Sequence, residues 1–131
     1  AQARVLVLDA CHSGIGRSAN IMTAEFEERI LLGAEGTAIL AACRQHERAY
    51  EYQDKHGASR NGAFTHFLLE GLKGEARYPG SRFVTFNGLN LYVTDRVKAW
   101  ALMQQYQQTP NAITRLVGDI PLVIVEDKPL R

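Results

Sequence analysis

The chain has 131 residues, 15 Lys and Arg against 14 Asp and Glu, and a net charge of +1, with 46% hydrophobic and 22% charged residues. That is the balance of a globular domain with a core of its own. It offers no basic field for nucleic acid, and no apolar run reaches the roughly 20 residues that span a bilayer. Two cysteines are too few for a disulfide framework, and no secretory leader is legible at the start. A reduced, cytoplasmic setting is therefore expected.

Arg4-Val5-Leu6-Val7-Leu8 is a β-branched, continuously apolar run, which predicts a strand buried on both faces. Asp9 ends it. Ala10-Cys11-His12-Ser13-Gly14 then supplies a thiol, an imidazole, a hydroxyl and a turn-forming glycine at the strand's carboxyl end, where open α/β sheets keep their sites. Residues 15–20 read as a loop. Thr23 caps a predicted helix over 24–32, with Phe26, Ile30 and Leu31 on one side. Gly33 and Gly36 flank the connection to a second strand over 37–43, apolar throughout and therefore central. Residues 44–60 are polar and aperiodic, a long loop on the same sheet edge as Cys11 if the two strands run parallel.

A helix is predicted over 61–73, with Phe64, Phe67, Leu68, Leu69 and Leu72 inward and Gly74 as its stop. Residues 75–82 form a turn around Pro79-Gly80. Thr85 caps a further helix to about residue 105, with Leu89, Tyr92, Val93, Val97, Trp100 and Leu102 inward. Residues 107–111 are a loop stopped by Pro110, and 120–125 a third strand that Pro121 assigns to an early or edge position. Strands alternating with helices make the chain α/β.

Cys11 has two readings: a buried structural cysteine, or a nucleophile whose thiolate attacks a carbonyl while its own backbone N–H steadies the oxyanion. Asp9, at a strand end, suits bonding to nearby loop amides. His12, His46, His56 and His66 are poor candidates for a base. His12 adjoins Cys11, a position whose side chain is expected to point away from the thiol, His66 falls in a helix pattern, and the other two lie in a loop. Cys43 closes a buried strand and reads as core. No His, Cys, Asp or Glu spacing matches a metal site. Gly14-x-Gly16-x-x-Ala19 mimics a dinucleotide fingerprint, but five residues separate it from Leu8, whereas the fingerprint opens a helix directly.

Asp9-Ala10-Cys11-His12-Ser13-Gly14 resembles the nucleophile motif of the caspase-like cysteine peptidases, on the metacaspase and bacterial caspase-homologue (orthocaspase) branch. Similarity continues in order through Ala38-Ile39-Leu40-Ala41-Ala42-Cys43, Ala49-Tyr50-Glu51, Gly62-Ala63-Phe64-Thr65-His66-Phe67-Leu68-Leu69-Glu70-Gly71-Leu72 and Gln108-Thr109-Pro110. The resemblance implies a three-layer α/β sandwich, a mostly parallel sheet with helices on both faces. Residues 1–131 would be its C-terminal portion: a nucleophile strand, a linker over about 15–36 and a small-subunit-like part over 37–131.

It also implies a cysteine endopeptidase that cuts after Arg or Lys. Cys11 would be the nucleophile and an oxyanion donor. Asp9 and Glu51 would bind the basic side chain, and Arg17 and Arg29 would be autoprocessing sites. The family's base is a His-Gly on an earlier strand, about 50 residues before the Cys in caspases; ten residues precede Cys11 here. The expected partners are thus a polypeptide substrate and the N-terminal part of the catalytic domain, without which this chain should be inactive. No cofactor is expected; calcium enters through some metacaspases, with no ligand set evident here. The alternatives are a catalytically inactive caspase-like scaffold and a nucleotide-binding module using Gly14 and Gly16.

Overall fold

A computed structural model describes residues 3–9, 36–44, 47–54, 56 and 59–126. In chain order the elements are β1 (Arg4–Leu8), β2 (Thr37–Ala41), β3 (Glu51–Gln53), β4 (Ser59–Gly62), α1 (Ala63–Glu70), a π-helical turn (Gly71–Glu75), β5 (Phe83–Thr85), α2 (Phe86–Met103), β6 (Asn111–Thr114) and β7 (Pro121–Ile124). The architecture is mixed α/β. The helix expected over 24–32 and the loop before it lie outside the described residues.

β1 and β2 pair in parallel, with Leu8 opposite Ala41, and the amide of Ala42 donates to the carbonyl of Leu8 just beyond. β6 pairs antiparallel with the other side of β2, Leu40 opposite Ala112. β2 is therefore central, and all five of its residues are buried. Its span is two residues shorter than expected. β1 has the expected span but not the expected burial: Leu6 is 46% and Val7 42% exposed. An apolar run announces a strand, but the number of its neighbours is set by chain far away. β1 has one neighbour among the described residues, and Val5 is its residue packed on the core.

The expected loop over 44–60 contains structure. β3 and β4 form an antiparallel hairpin, Glu51 opposite Gly62 and Gln53 opposite Ser59, with an irregularity between. Because Asn61 and Gly62 complete β4, the helix begins at Ala63, whose amide donates to the carbonyl of Tyr50 at 2.7 Å. Phe64, Phe67 and Leu68 face inward, but Leu69, about 100° further round the helix, is exposed. Gly74 ends the helical segment as expected; its φ of 129° is outside the range of an L side chain.

α2 starts as predicted: the Thr85 hydroxyl accepts from the Gly88 amide at 3.0 Å. Leu89, Val93 and Val97 are buried, but Leu102 is 76% exposed, because the stripe passes through Ala101 instead. The helix closes in a Schellman arrangement: the Gln105 amide donates to Leu102 O at 3.0 Å and the Tyr106 amide to Ala101 O at 2.7 Å. This puts Gln105 at φ 62°. α2 and α1 approach closely at Gly71, where a Cβ would stand 2.8 Å from Leu89 Cδ1 and 3.1 Å from Tyr92 Cδ1. The Tyr92 hydroxyl donates to Glu70 Oε1 at 2.8 Å, and burial, then that bond, pushes its pKa up to about 12.

The core joins Ala38, Leu40 and Ala42 of the β2 segment to Phe64, Phe67 and Leu68 of α1 and to Phe86, Leu89, Val93 and Val97 of α2. Besides β3 and β4, two more strands escape the sequence reading, β5 and β6. β7 lies within the expected third strand, and Pro121 opens it, but it pairs antiparallel with β5 rather than joining β1 and β2. Among the described strands only the β1–β2 pair is parallel, which corrects the expected mostly parallel sheet. β3 and β4 are joined by too short a connection for any other pairing. No helix among the described residues is long and apolar enough to cross a membrane.

Candidate functional site

Asp9 follows β1 and is exposed. Its carboxylate accepts a hydrogen bond from the hydroxyl of Thr65, in the first turn of α1. That helix has Gly62 at its N-cap, no side-chain cap and no acidic residue in its first turn. Asp9 supplies the missing carboxylate from a different strand: a Cβ on Gly62 would lie 3.6 Å from Asp9 Oδ2 and 3.8 Å from Oδ1. An anion at a helix N-terminus is favoured by the unpaired amides there. The sequence reading had bonding to loop amides as the plain alternative for Asp9; its described partner is the hydroxyl of a helix instead.

Glu51 is exposed and sits opposite Gly62 in the hairpin, so both predicted substrate-binding acids border on one glycine. They do not share a hollow. Glu51 opens onto a depression of about 170 Å³ together with Tyr50, Gln53, Trp100, Gln104 and Tyr106, and Asp9 is not part of its lining. The Tyr50 and Tyr106 rings stack at 4.1 Å on its wall.

Cys11, His12, Gly14, Gly16, Arg17, Arg29 and His46 lie outside the described residues. His66 stacks on Tyr52 at 3.7 Å and comes within 3.6 Å of Glu70 on its own helix. His56 is exposed, and its backbone amide donates to Asp54. Cys43 is buried, as a core residue should be, at 3% exposure. It is also disulfide-bonded, and there is no free cysteine among the described residues. The sequence contains one other cysteine, Cys11. The expectation of a reduced protein without disulfides therefore does not hold at Cys43. Nor do the described residues include any group of three or more His, Cys, Asp or Glu able to hold a metal ion.

Three polar residues next to this edge were not singled out by the sequence. Thr65 is one. Gln108, only 1% exposed, accepts from the Tyr50 amide at 2.9 Å through Oε1 and donates to Ala42 O at 3.0 Å through Nε2. Glu47 accepts from the Arg44 amide at 3.0 Å, the Thr109 amide at 2.8 Å and the Thr109 hydroxyl at 3.0 Å. Gln108-Thr109-Pro110 belongs to the resemblance, but a polar residue before a proline in a loop has the local signature of a solvated one.

No protein-family model matches the chain, and comparison with curated proteins and with solved structures likewise finds no match.

Proposed function

We propose that this chain is the C-terminal portion of a caspase-like cysteine endopeptidase that cleaves after Arg or Lys. In this reading Cys11 is the nucleophile, its backbone N–H helps hold the oxyanion, and a His-Gly from a preceding segment supplies the base and the second donor. Asp9 and Glu51 bind the basic side chain. Arg17 and Arg29 are sites of self-cleavage in the linker. The reading includes the three-layer sandwich, completed when the preceding segment adds to β1.

The observation that carries it is the parallel β1–β2 pair ending at Leu8, directly before Asp9-Ala10-Cys11-His12-Ser13-Gly14 in the sequence, with the Glu51 hairpin brought to Asp9 through Gly62. Support for a further strand comes from β1 itself, an edge strand among the described residues with Leu6 and Val7 exposed on opposite faces. Such an edge is a template for another strand. A reducing, cytoplasmic compartment belongs to the same reading, since it would open the disulfide at Cys43.

The test joins the chain to its preceding segment, covalently or as a second polypeptide, and assays peptides that differ only in the residue before the scissile bond. Cleavage after Arg and Lys that Cys11→Ala abolishes supports the reading. Binding without any Cys11-dependent cleavage would assign the chain to the scaffold class instead. Strong turnover by these 131 residues alone would mean that an internal histidine acts as base.

A further inference from the structure

Gln108 is the most deeply buried polar side chain of the described residues, and it lies on neither predicted acid. Its amide group bridges two points of the segment leaving β2: it donates to Ala42 O at 3.0 Å and accepts from the Tyr50 amide at 2.9 Å. The next residue, Thr109, binds the same segment through Glu47, by amide and hydroxyl at 2.8 and 3.0 Å. Tyr50 in turn receives the Ala63 amide at 2.7 Å, the first residue of α1. Two residues on, Thr65 holds the Asp9 carboxylate. One connected set of hydrogen bonds thus runs from Gln108 through Tyr50 to the start of α1, which bears the donor to Asp9. It passes the residue next to Glu51.

We propose that Gln108, assisted by Glu47, is a positioning residue for recognition of the basic side chain. It sets the backbone at Tyr50 and thereby places both Glu51 and the Thr65–Asp9 contact. The inference rests on the peptidase reading above. It assigns to Gln108 an effect on substrate binding rather than on the chemical step. A lost uniform-binding contact raises KM and spares kcat. A residue needed only for folding lowers the active fraction, so that kcat falls while KM stays constant.

The experiment compares kinetics on an Arg peptide for the assembled enzyme and for Gln108→Met, which keeps the length but neither donates to Ala42 O nor accepts from the Tyr50 amide. Melting curves verify folding. The expected result is a KM about 10-fold higher with kcat within about 2-fold of the parent. Glu47→Ala should shift KM the same way, and Glu47→Gln, which keeps an acceptor for both amides, should restore it. That second pair decides the matter if Gln108→Met does not fold. A fall in kcat at unchanged KM, or no change in either variant, overturns the proposal. A parent that cleaves nothing after Arg or Lys overturns the peptidase reading itself, and this proposal with it.

Discussion

The hydroxyl of Thr65 donates to the carboxylate of Asp9, tying the end of β1 to the first turn of α1. The contact spans 56 residues of chain and does two things. It gives a helix with a glycine N-cap and no acidic residue in its first turn the anion that a helix N-terminus favours. Under the peptidase reading, it also holds the carboxylate that a basic substrate would meet.

Under the peptidase reading, Asp9→Ala lowers kcat/KM on Arg and Lys peptides by about 10- to 100-fold, the effect of leaving a guanidinium without its partner. Thr65→Val, which keeps the carboxylate but not its donor, lowers it by only a few-fold. Glu51→Ala does less than Asp9→Ala, because its exposed position lets water compensate. The check is a peptide panel on purified variants. Full activity of Asp9→Ala on Arg peptides, or a preference for Asp in the parent, would remove Asp9 from the site.

Under the peptidase reading, the disulfide at Cys43 should make activity depend on reductant. Alkylation of the denatured protein followed by peptide mapping should find Cys43 unreactive before reduction and reactive after it. Cys43→Ser should make cleavage independent of added reductant. A Cys43 thiol that reacts without reduction, or a Cys43→Ser enzyme that still requires reductant, would contradict this.

Gly71→Ala should lower stability by about 1–3 kcal/mol, the range for overpacking a close contact. The added methyl would meet Leu89 Cδ1 at 2.8 Å and Tyr92 Cδ1 at 3.1 Å, on a helix that cannot retreat without opening the core at Leu89. Urea denaturation measures the loss. An unchanged midpoint would mean that α1 and α2 separate more easily than their packing implies.

Gln105→Gly should raise stability by about 0.5–1 kcal/mol, because glycine adopts the left-handed φ of 62° without the strain a Cβ brings there. The two bonds that close α2, to Leu102 and Ala101, stay in place, so Tyr106 keeps its stack on Tyr50. A drop in the urea midpoint would show that the glutamine side chain contributes more than its backbone loses.

Where the folding instruction is local, the sequence alone was sufficient. The span of β1, the capping of α2 by Thr85, the stop at Gly74 and the inward face of Phe64, Phe67 and Leu68 all follow from composition and periodicity within a few turns of chain. The parallel pairing of β1 with β2 stayed conditional in the sequence: the intervening segment is long enough for a crossover, which permits that pairing without requiring it. Only the tertiary structure could decide which strands have neighbours. β1 is apolar on both faces yet exposed at an edge, and β6, a polar-looking Asn111–Thr114, closes the far side of β2. The same holds for the polar groups at the candidate edge. Gln108, Glu47 and Thr65 look solvated in sequence; their partners lie 58, 62 and 56 residues away, and a hydrogen bond over such distances leaves no periodic trace.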